Sequence, residues 1–143
     1  MHKSIFNNTD LTINAMKKIL TIIFAALAFA ACNPDEKTAE FKADVLPGTK
    51  WEGTYQSMQG NVVTGTSTVT LKFNDGQSGQ MIQKRSNSSS KDYYDMSYSV
   101  SGKKISIDCP VINGTWEVSG YTDKTMVLTL LPDKNGIMTL VLQ

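Results

Sequence analysis

Few residues of this 143-residue chain could do acid–base or nucleophilic chemistry. The sequence has one histidine, His2, and two cysteines, Cys32 and Cys109. His2 lies in a segment that we expect to be removed from the mature protein. This excludes His-based acid–base catalysis, Ser-His or Cys-His nucleophile pairs and His-ligated zinc. Two cysteines are also too few for a disulfide framework or a four-cysteine metal site.

The acidic residues form no recognisable catalytic or metal-binding constellation either. Glu52 and Glu117 could act as the paired carboxylates of a hydrolase if they lay a few ångströms apart. Each follows a tryptophan in an alternating pattern that turns the glutamate outward, so we expect both on the solvated surface. Segments 74–76 and 133–136 resemble fragments of calcium loops, but they lack the glutamate of the twelfth position and suffice as hairpin turns. We therefore predict no enzymatic activity, no cofactor and no metal site.

The charge balance gives no sign of a polyanionic partner. The chain has 14 Lys and Arg against 13 Asp and Glu, a formal net charge of +1. Without the three lysines and the one aspartate of residues 1–31, 11 basic and 12 acidic residues remain. We therefore expect no nucleic-acid partner and no electrostatic attachment to anionic lipid. The sequence also has no phosphate-binding loop and no dinucleotide motif.

The N-terminus has the order of a secretory signal peptide. Two lysines follow Met16, and an apolar run ending in small residues extends to Ala31. A transmembrane helix needs about 17–25 apolar residues, and the polar segment 33–36 ends this run too early. We expect a signal peptide over residues 1–31, with Met16 as the expected start.

The end of this run, Phe29-Ala30-Ala31-Cys32, resembles a bacterial lipobox. In that motif small residues precede a cysteine that is lipidated and becomes the first residue of the mature chain; here Phe29 stands where leucine is usual. The resemblance implies attachment to a membrane through a lipid on Cys32, in an outer-membrane lipoprotein that faces the periplasm or the cell surface. Simple cleavage after Ala31, with Cys32 left as a free thiol, is the alternative. We expect residues 32–44 to form the lipidated cysteine and a flexible tether.

From residue 45 onward, apolar and polar residues alternate along the sequence. Val69, Leu71 and Phe73 alternate with polar residues, and Ile105, Ile107 and Cys109 do the same. Turn sequences separate eight such segments. The pattern predicts an all-β domain over residues 45–143, a small eight-stranded antiparallel up-and-down barrel. A two-sheet sandwich is the second choice, because periodicity does not distinguish closure from stacking.

This domain resembles the small lipocalin-like domains of Gram-negative lipoproteins. Gly48-Thr49-Lys50-Trp51 at the first strand is similar to the lipocalin Gly-x-Trp, with one extra residue. Thr122-Asp123 lies between the sixth and seventh strands, where the lipocalin Thr-Asp-Tyr motif sits, and Lys124 replaces the tyrosine. The C-terminal arginine that normally stacks on the tryptophan is missing, since Arg85 is the one arginine of the chain. The resemblance implies a lipocalin-like barrel with Trp51 under its floor and a small apolar or amphipathic ligand inside it.

The hypothetical ligand site is therefore the lumen of the barrel. Its candidate lining consists of the large residues on the expected inner faces: Trp51, Tyr55, Leu71, Phe73, Tyr94, Met96, Tyr98 and Trp116. Two interpretations stay open, because an eight-stranded barrel is just wide enough for its own side chains or for one small ligand.

The first interpretation is an envelope lipoprotein that binds a small apolar or amphipathic molecule in this lumen. The alternative is a protein-binding module, an envelope accessory subunit or a hydrolase inhibitor, with a packed barrel. In that case an exposed patch or loop, in segment 56–65 or 85–92, would dock the partner protein. In either case we expect Cys109 to be a buried, inert thiol.

Overall fold

The computed structural model describes residues 39–143, which form a closed barrel of eight antiparallel strands. Each strand pairs with the next in the chain, and the last pairs with the first. The elements are a short 3₁₀ helix at Ala43–Val45, then β1 (Thr49–Gln59), β2 (Val62–Phe73), β3 (Ser78–Arg85), β4 (Asp92–Ser101), β5 (Lys104–Asp108), β6 (Gly114–Tyr121), β7 (Thr125–Leu131) and β8 (Gly136–Leu142). This closure confirms the up-and-down barrel and excludes the two-sheet sandwich. No helix within these residues is long and apolar enough to cross a membrane.

The alternation of side chains along each strand assigns the inner face of the barrel. On β2, Val69, Leu71 and Phe73 are buried, while Thr68 and the other intervening residues are partly or fully exposed. The register places Leu71 between Trp51 of β1 and Met81 of β3, so that equivalent positions form a layer across the interior. The period of two in the sequence thus becomes an apolar core enclosed by polar outer faces.

The seam between β1 and β8 closes the barrel. Gly53 pairs with Leu140 of β8 on one side and with Val69 of β2 on the other. A Cβ at Gly53 would lie 1.8 Å from the carbonyl oxygen of Thr139, so the two backbones approach too closely for a side chain here. Glycine is required at this position because of that close approach.

The N-terminal part of the described chain closes one end of the barrel, which we call the floor. Phe41 and Leu46 are buried in the core, and the ring of Phe41 packs edge-on against Tyr121 at 5.4 Å. Trp51 is buried at the same end, where its Nε1 donates a hydrogen bond to Thr49 Oγ1 at 2.9 Å. The packed domain therefore begins before Val45, within the segment where the sequence predicts a tether. Residues 1–38, which include the predicted signal peptide and Cys32, lie outside the described residues.

The segment 56–65, predicted as an exposed patch or loop, is a β-hairpin. β1 continues to Gln59 and β2 begins at Val62, with a turn at Gly60, which has a φ of +59°. The two strands pair along this whole length, with one register shift beside Met58. Valine and threonine, which favour extended backbone, carry the strand past the point where its apolar alternation ends. The loop predicted after Arg85 is confirmed between β3 and β4.

Candidate functional site

The side chains of the predicted lumen mostly fill the barrel. Six of the eight are buried in a single core cluster: Trp51, Leu71, Phe73, Met96, Tyr98 and Trp116. The rings of Phe73 and Tyr98 pack edge-on at 4.8 Å, and the Tyr98 hydroxyl donates a hydrogen bond to the carbonyl oxygen of Asp75. The other two, Tyr55 and Tyr94, are partly buried against this cluster. At these six positions the interior is occupied by the protein itself.

The end opposite the floor, which we call the mouth, is partly covered by the chain between β5 and β6. Cys109 and Ile112 in this connection are both buried in the core cluster. Trp116 Nε1 donates a hydrogen bond to the Ile112 carbonyl oxygen at 2.8 Å, which holds the connection down. The predicted burial of Cys109 is thus confirmed, although β5 itself ends at Asp108.

The interior remains open at the other side of the mouth, in a cavity of about 170 Å³ that we call the mouth pocket. The Tyr55 ring lines this pocket and packs edge-on against Trp116, with ring centroids 6.1 Å apart. This volume is below the roughly 300–1,000 Å³ of pockets for drug-sized ligands. The lining residues are Tyr55, Ser57, Gly65, Thr66, Ser67, Gln83 and Arg85.

A buried polar pair lies in this pocket. Ser67 is 6% exposed and Gln83 is 8% exposed, and they are the buried polar side chains of residues 39–143. Gln83 Nε2 donates a hydrogen bond to Ser67 Oγ at 3.0 Å. No fully buried side-chain nitrogen or oxygen of these residues lacks a partner. Gln83 Oε1 makes no hydrogen bond within this part of the chain, so this oxygen keeps some exposed surface.

The electrostatics of the mouth pocket combine neutral donors with one positive charge. Burial raises the pKa of the Tyr55 phenol above its ordinary value, so the hydroxyl stays protonated at neutral pH and able to donate. Arg85 lies exposed at the rim. Within the described residues the one ion pair joins Lys50 and Glu52 at 4.0 Å, so Arg85 has no acidic partner there.

Sequence reasoning missed Ser67, Gln83 and Arg85 as parts of the site. By position both polar residues belong to the inner face, because Ser67 continues the inward alternation of Val69 and Leu71, and Gln83 stands two residues after Met81. Polar residues in such patterns are normally taken as outward-facing, and nothing in the sequence alone marks these two as exceptions.

Two other cavities lie on the outer wall of the barrel. One of about 510 Å³ lies along β4, β5 and β6 beside the exposed Ser97, Ser99 and Ser106. The other, of about 240 Å³, is lined by outer-face residues of β1 to β3 and by Lys91. Neither contains the buried polar groups that distinguish the mouth pocket.

The tip of the β1–β2 hairpin is an exposed apolar feature beside the mouth. Val62 is 65% exposed and Val63 is 45% exposed, and Val63 pairs with Met58. The Met58 backbone N–H donates to the carbonyl oxygen of Asn135 at 2.7 Å, which ties the base of the tip to the β7–β8 connection. We call Met58, Val62 and Val63 the hairpin tip.

The described residues contain no arrangement suited to metal binding. No group of three or more His, Cys, Asp or Glu side chains within residues 39–143 could hold a metal ion. Glu52 and Glu117 lie on β1 and β6, two strands that do not pair with each other in the barrel. Both lie at outward positions of the alternation and are partly exposed, as predicted.

The chain matches no family model and no curated protein. The lipocalin resemblance thus depends on the segments 48–51 and 122–123 and on the order of the strands.

Proposed function

We propose that this chain is an envelope-anchored lipoprotein whose lipocalin-like barrel binds a compact ligand at its mouth. The single observation that carries the proposal is the Ser67–Gln83 pair, buried polar side chains located where the interior opens. A buried amide with unused hydrogen-bonding capacity is costly unless a partner or water completes it. A ligand in the mouth pocket would supply that partner.

The packing of the barrel limits the size of this ligand. Leu71 and Trp116 have no exposed surface, and the core beneath the pocket is continuous with them. A bulky apolar molecule would have to displace these side chains, whereas a compact one can occupy the existing cavity. The packing therefore favours a ligand at the mouth over one in the deep lumen.

The entry of the chain into the barrel is compatible with this arrangement. Phe41 and Leu46 pack at the floor, so residues 39–48 leave the mouth uncovered. Cys32, the proposed anchor, precedes Phe41 by nine residues in the sequence.

The hairpin tip favours a second candidate, a protein-binding module. Exposed valines on a protruding hairpin can supply the apolar contacts of a protein interface. In this case the barrel is a rigid scaffold, and the partner is another protein of the envelope.

Metabolic labelling with a radioactive fatty acid tests the anchor. We expect the full chain and its Cys109→Ser variant to incorporate label, and Cys32→Ser to lose it. Equal labelling of Cys32→Ser and the unsubstituted chain would contradict lipidation at Cys32.

Native mass spectrometry of the mature protein, released gently from envelope extracts, tests ligand binding. The mouth pocket holds the volume of about six water molecules, so we expect an adduct on the order of 100 Da. A reproducibly clean mass would contradict the ligand proposal and favour the protein-binding candidate, which cross-linking through a residue at the hairpin tip would then test.

A further inference from the structure

We propose that the mouth pocket takes a compact carboxylate, bound by Arg85 at the rim and by neutral donors beneath it. This inference rests on the proposed function, since it assigns a chemical class to the ligand of the same pocket.

The charge at the rim is positive, and Arg85 forms no ion pair within residues 39–143. The guanidinium of Arg85 presents a planar set of donors that matches a carboxylate in a bidentate arrangement. Asp92 faces Gln83 across the β3–β4 register, and it forms no ion pair with Arg85. No acidic side chain is among the residues that line the pocket. An anion can therefore approach Arg85 without opposition from a carboxylate in the pocket wall.

The wall of the pocket is rich in hydrogen-bond donors. Ser67 Oγ accepts from Gln83 Nε2, so its own hydroxyl proton is free to donate to a ligand. The second N–H of Gln83 and the protonated hydroxyl of Tyr55 add two further donors. An ionised carboxylate has only acceptors, and its two oxygens can use several of these donors at once, while Gln83 Oε1, itself an acceptor, is left to water.

The volume of the pocket selects a short carboxylate over a long-chain one. The cavity is about 170 Å³, and Trp116, which has no exposed surface, lies against the Tyr55 ring below it. A long acyl tail directed inward would meet this packed layer. The ligand we infer is a small carboxylic acid whose body fits against the Tyr55 ring.

Two matched probes, benzoate and benzamide, test this inference. They have nearly the same shape and size, but only benzoate carries a negative charge. Each is titrated into the purified mature protein while NMR follows the Gln83 side-chain amide and the Arg85 Nε–H. We expect benzoate to shift both resonances saturably and to bind at least about tenfold more tightly than benzamide.

Two charge-removing substitutions on β3 provide the control. Arg85→Gln should weaken benzoate binding by at least about tenfold and benzamide binding far less, so that the preference for benzoate is lost. Lys84→Gln removes the same charge from the adjacent, outward-facing position and should leave both affinities unchanged. Both residues are exposed, so backbone spectra of the two variants should match the parent protein.

The possible outcomes separate this inference from the proposed function. Equal binding of the two probes at the pocket, or equal loss in Arg85→Gln and Lys84→Gln, would overturn the carboxylate assignment and leave a ligand site of another class. Absence of saturable shifts with either probe would overturn the carboxylate assignment too. A native adduct would then still support the proposed function, and a clean native mass would contradict it.

Discussion

Substitution of Gly53 by alanine tests the seam where β8 closes on β1. The Cβ of an alanine would lie 1.8 Å from the Thr139 carbonyl oxygen and 2.8 Å from its carbonyl carbon. Both are backbone atoms, so no change of rotamer relieves the overlap. β8 must move away from β1, or β1 must bend away from β8.

The size of the effect follows from the displacement that is needed. Ordinary Cβ contacts lie at 3.4–4 Å, so the strands must separate locally by roughly 1.5 Å. Ladder hydrogen bonds of about 2.9 Å do not survive such a separation. Loss of two of them costs about 2 kcal/mol, at about 1 kcal/mol each. Overpacking adds about 1–3 kcal/mol. We expect Gly53→Ala to lower the free energy of unfolding by about 3–5 kcal/mol, a large part of the roughly 5–15 kcal/mol of a typical domain.

Urea denaturation followed by tryptophan fluorescence measures this loss, with Gly120→Ala as the control. Gly120 lies in β6, where the nearest atoms to an added Cβ are those of Val127 at 3.6 Å. Alanine fits there, and we expect unchanged stability or a gain of about 0.4–1 kcal/mol. If Gly53→Ala stays within about 1 kcal/mol of the parent protein, the steric reasoning about the seam is wrong.

Three further predictions concern the polar pair, the mouth connection and one turn. Ser67→Ala removes the partner of Gln83 and should lower the free energy of unfolding, measured by urea denaturation, by about 1–2 kcal/mol. The double variant Ser67→Ala/Gln83→Met should regain most of this loss. An equal loss in both variants would contradict the pairing. Trp116→Phe loses the hydrogen bond to the β5–β6 connection, so the buried Cys109 thiol should react faster with a thiol reagent than in the parent protein. Equal reaction rates in the two proteins would show that this bond does not secure the connection. The carboxylate of Asp75 accepts backbone N–H bonds in the β2–β3 turn, which lower its pKa from 3.8. The contribution of Asp75 to stability is therefore fully present above pH 3.8 and is lost as the pH falls through its lower pKa in the folded state. The stability advantage of the parent protein over Asp75→Asn should vanish on acidification. An advantage that is independent of pH would contradict this.

The barrel could be predicted from the sequence because the pattern that specifies each strand and turn lies within a few neighbouring residues. Val69, Leu71 and Phe73 alternate strictly, and the turn sequence that follows them fixes the direction of the next strand. Eight such units in meander order favour closure. The hairpin formed by the end of β1 after Gln56 and the start of β2 before Thr66 could not be predicted in this way. There the two strands are held by pairing with each other rather than by an apolar face.

The mouth pocket could not be predicted, because it depends on exceptions to the alternation. Ser67 and Gln83 occupy inner positions that normally carry apolar residues. The register places Ser67 opposite Arg85 and Gln83 opposite Val69, and only the side-chain hydrogen bond shows that the two polar residues meet. Ile112 and Phe41 belong to segments without periodicity, so nothing in the pattern predicts that one covers part of the mouth and the other closes the floor.

The measurement that tests the central claim most directly compares native masses of three proteins extracted in parallel from the envelope. They are the parent protein, the pocket variant Ser67→Ala/Gln83→Met, and a hairpin-tip variant, Val62→Thr/Val63→Thr. We predict the same small adduct, on the order of 100 Da, on the parent protein and the hairpin-tip variant, and none on the folded pocket variant. An adduct retained by the pocket variant, or absent from the parent protein, would contradict a ligand site at the mouth.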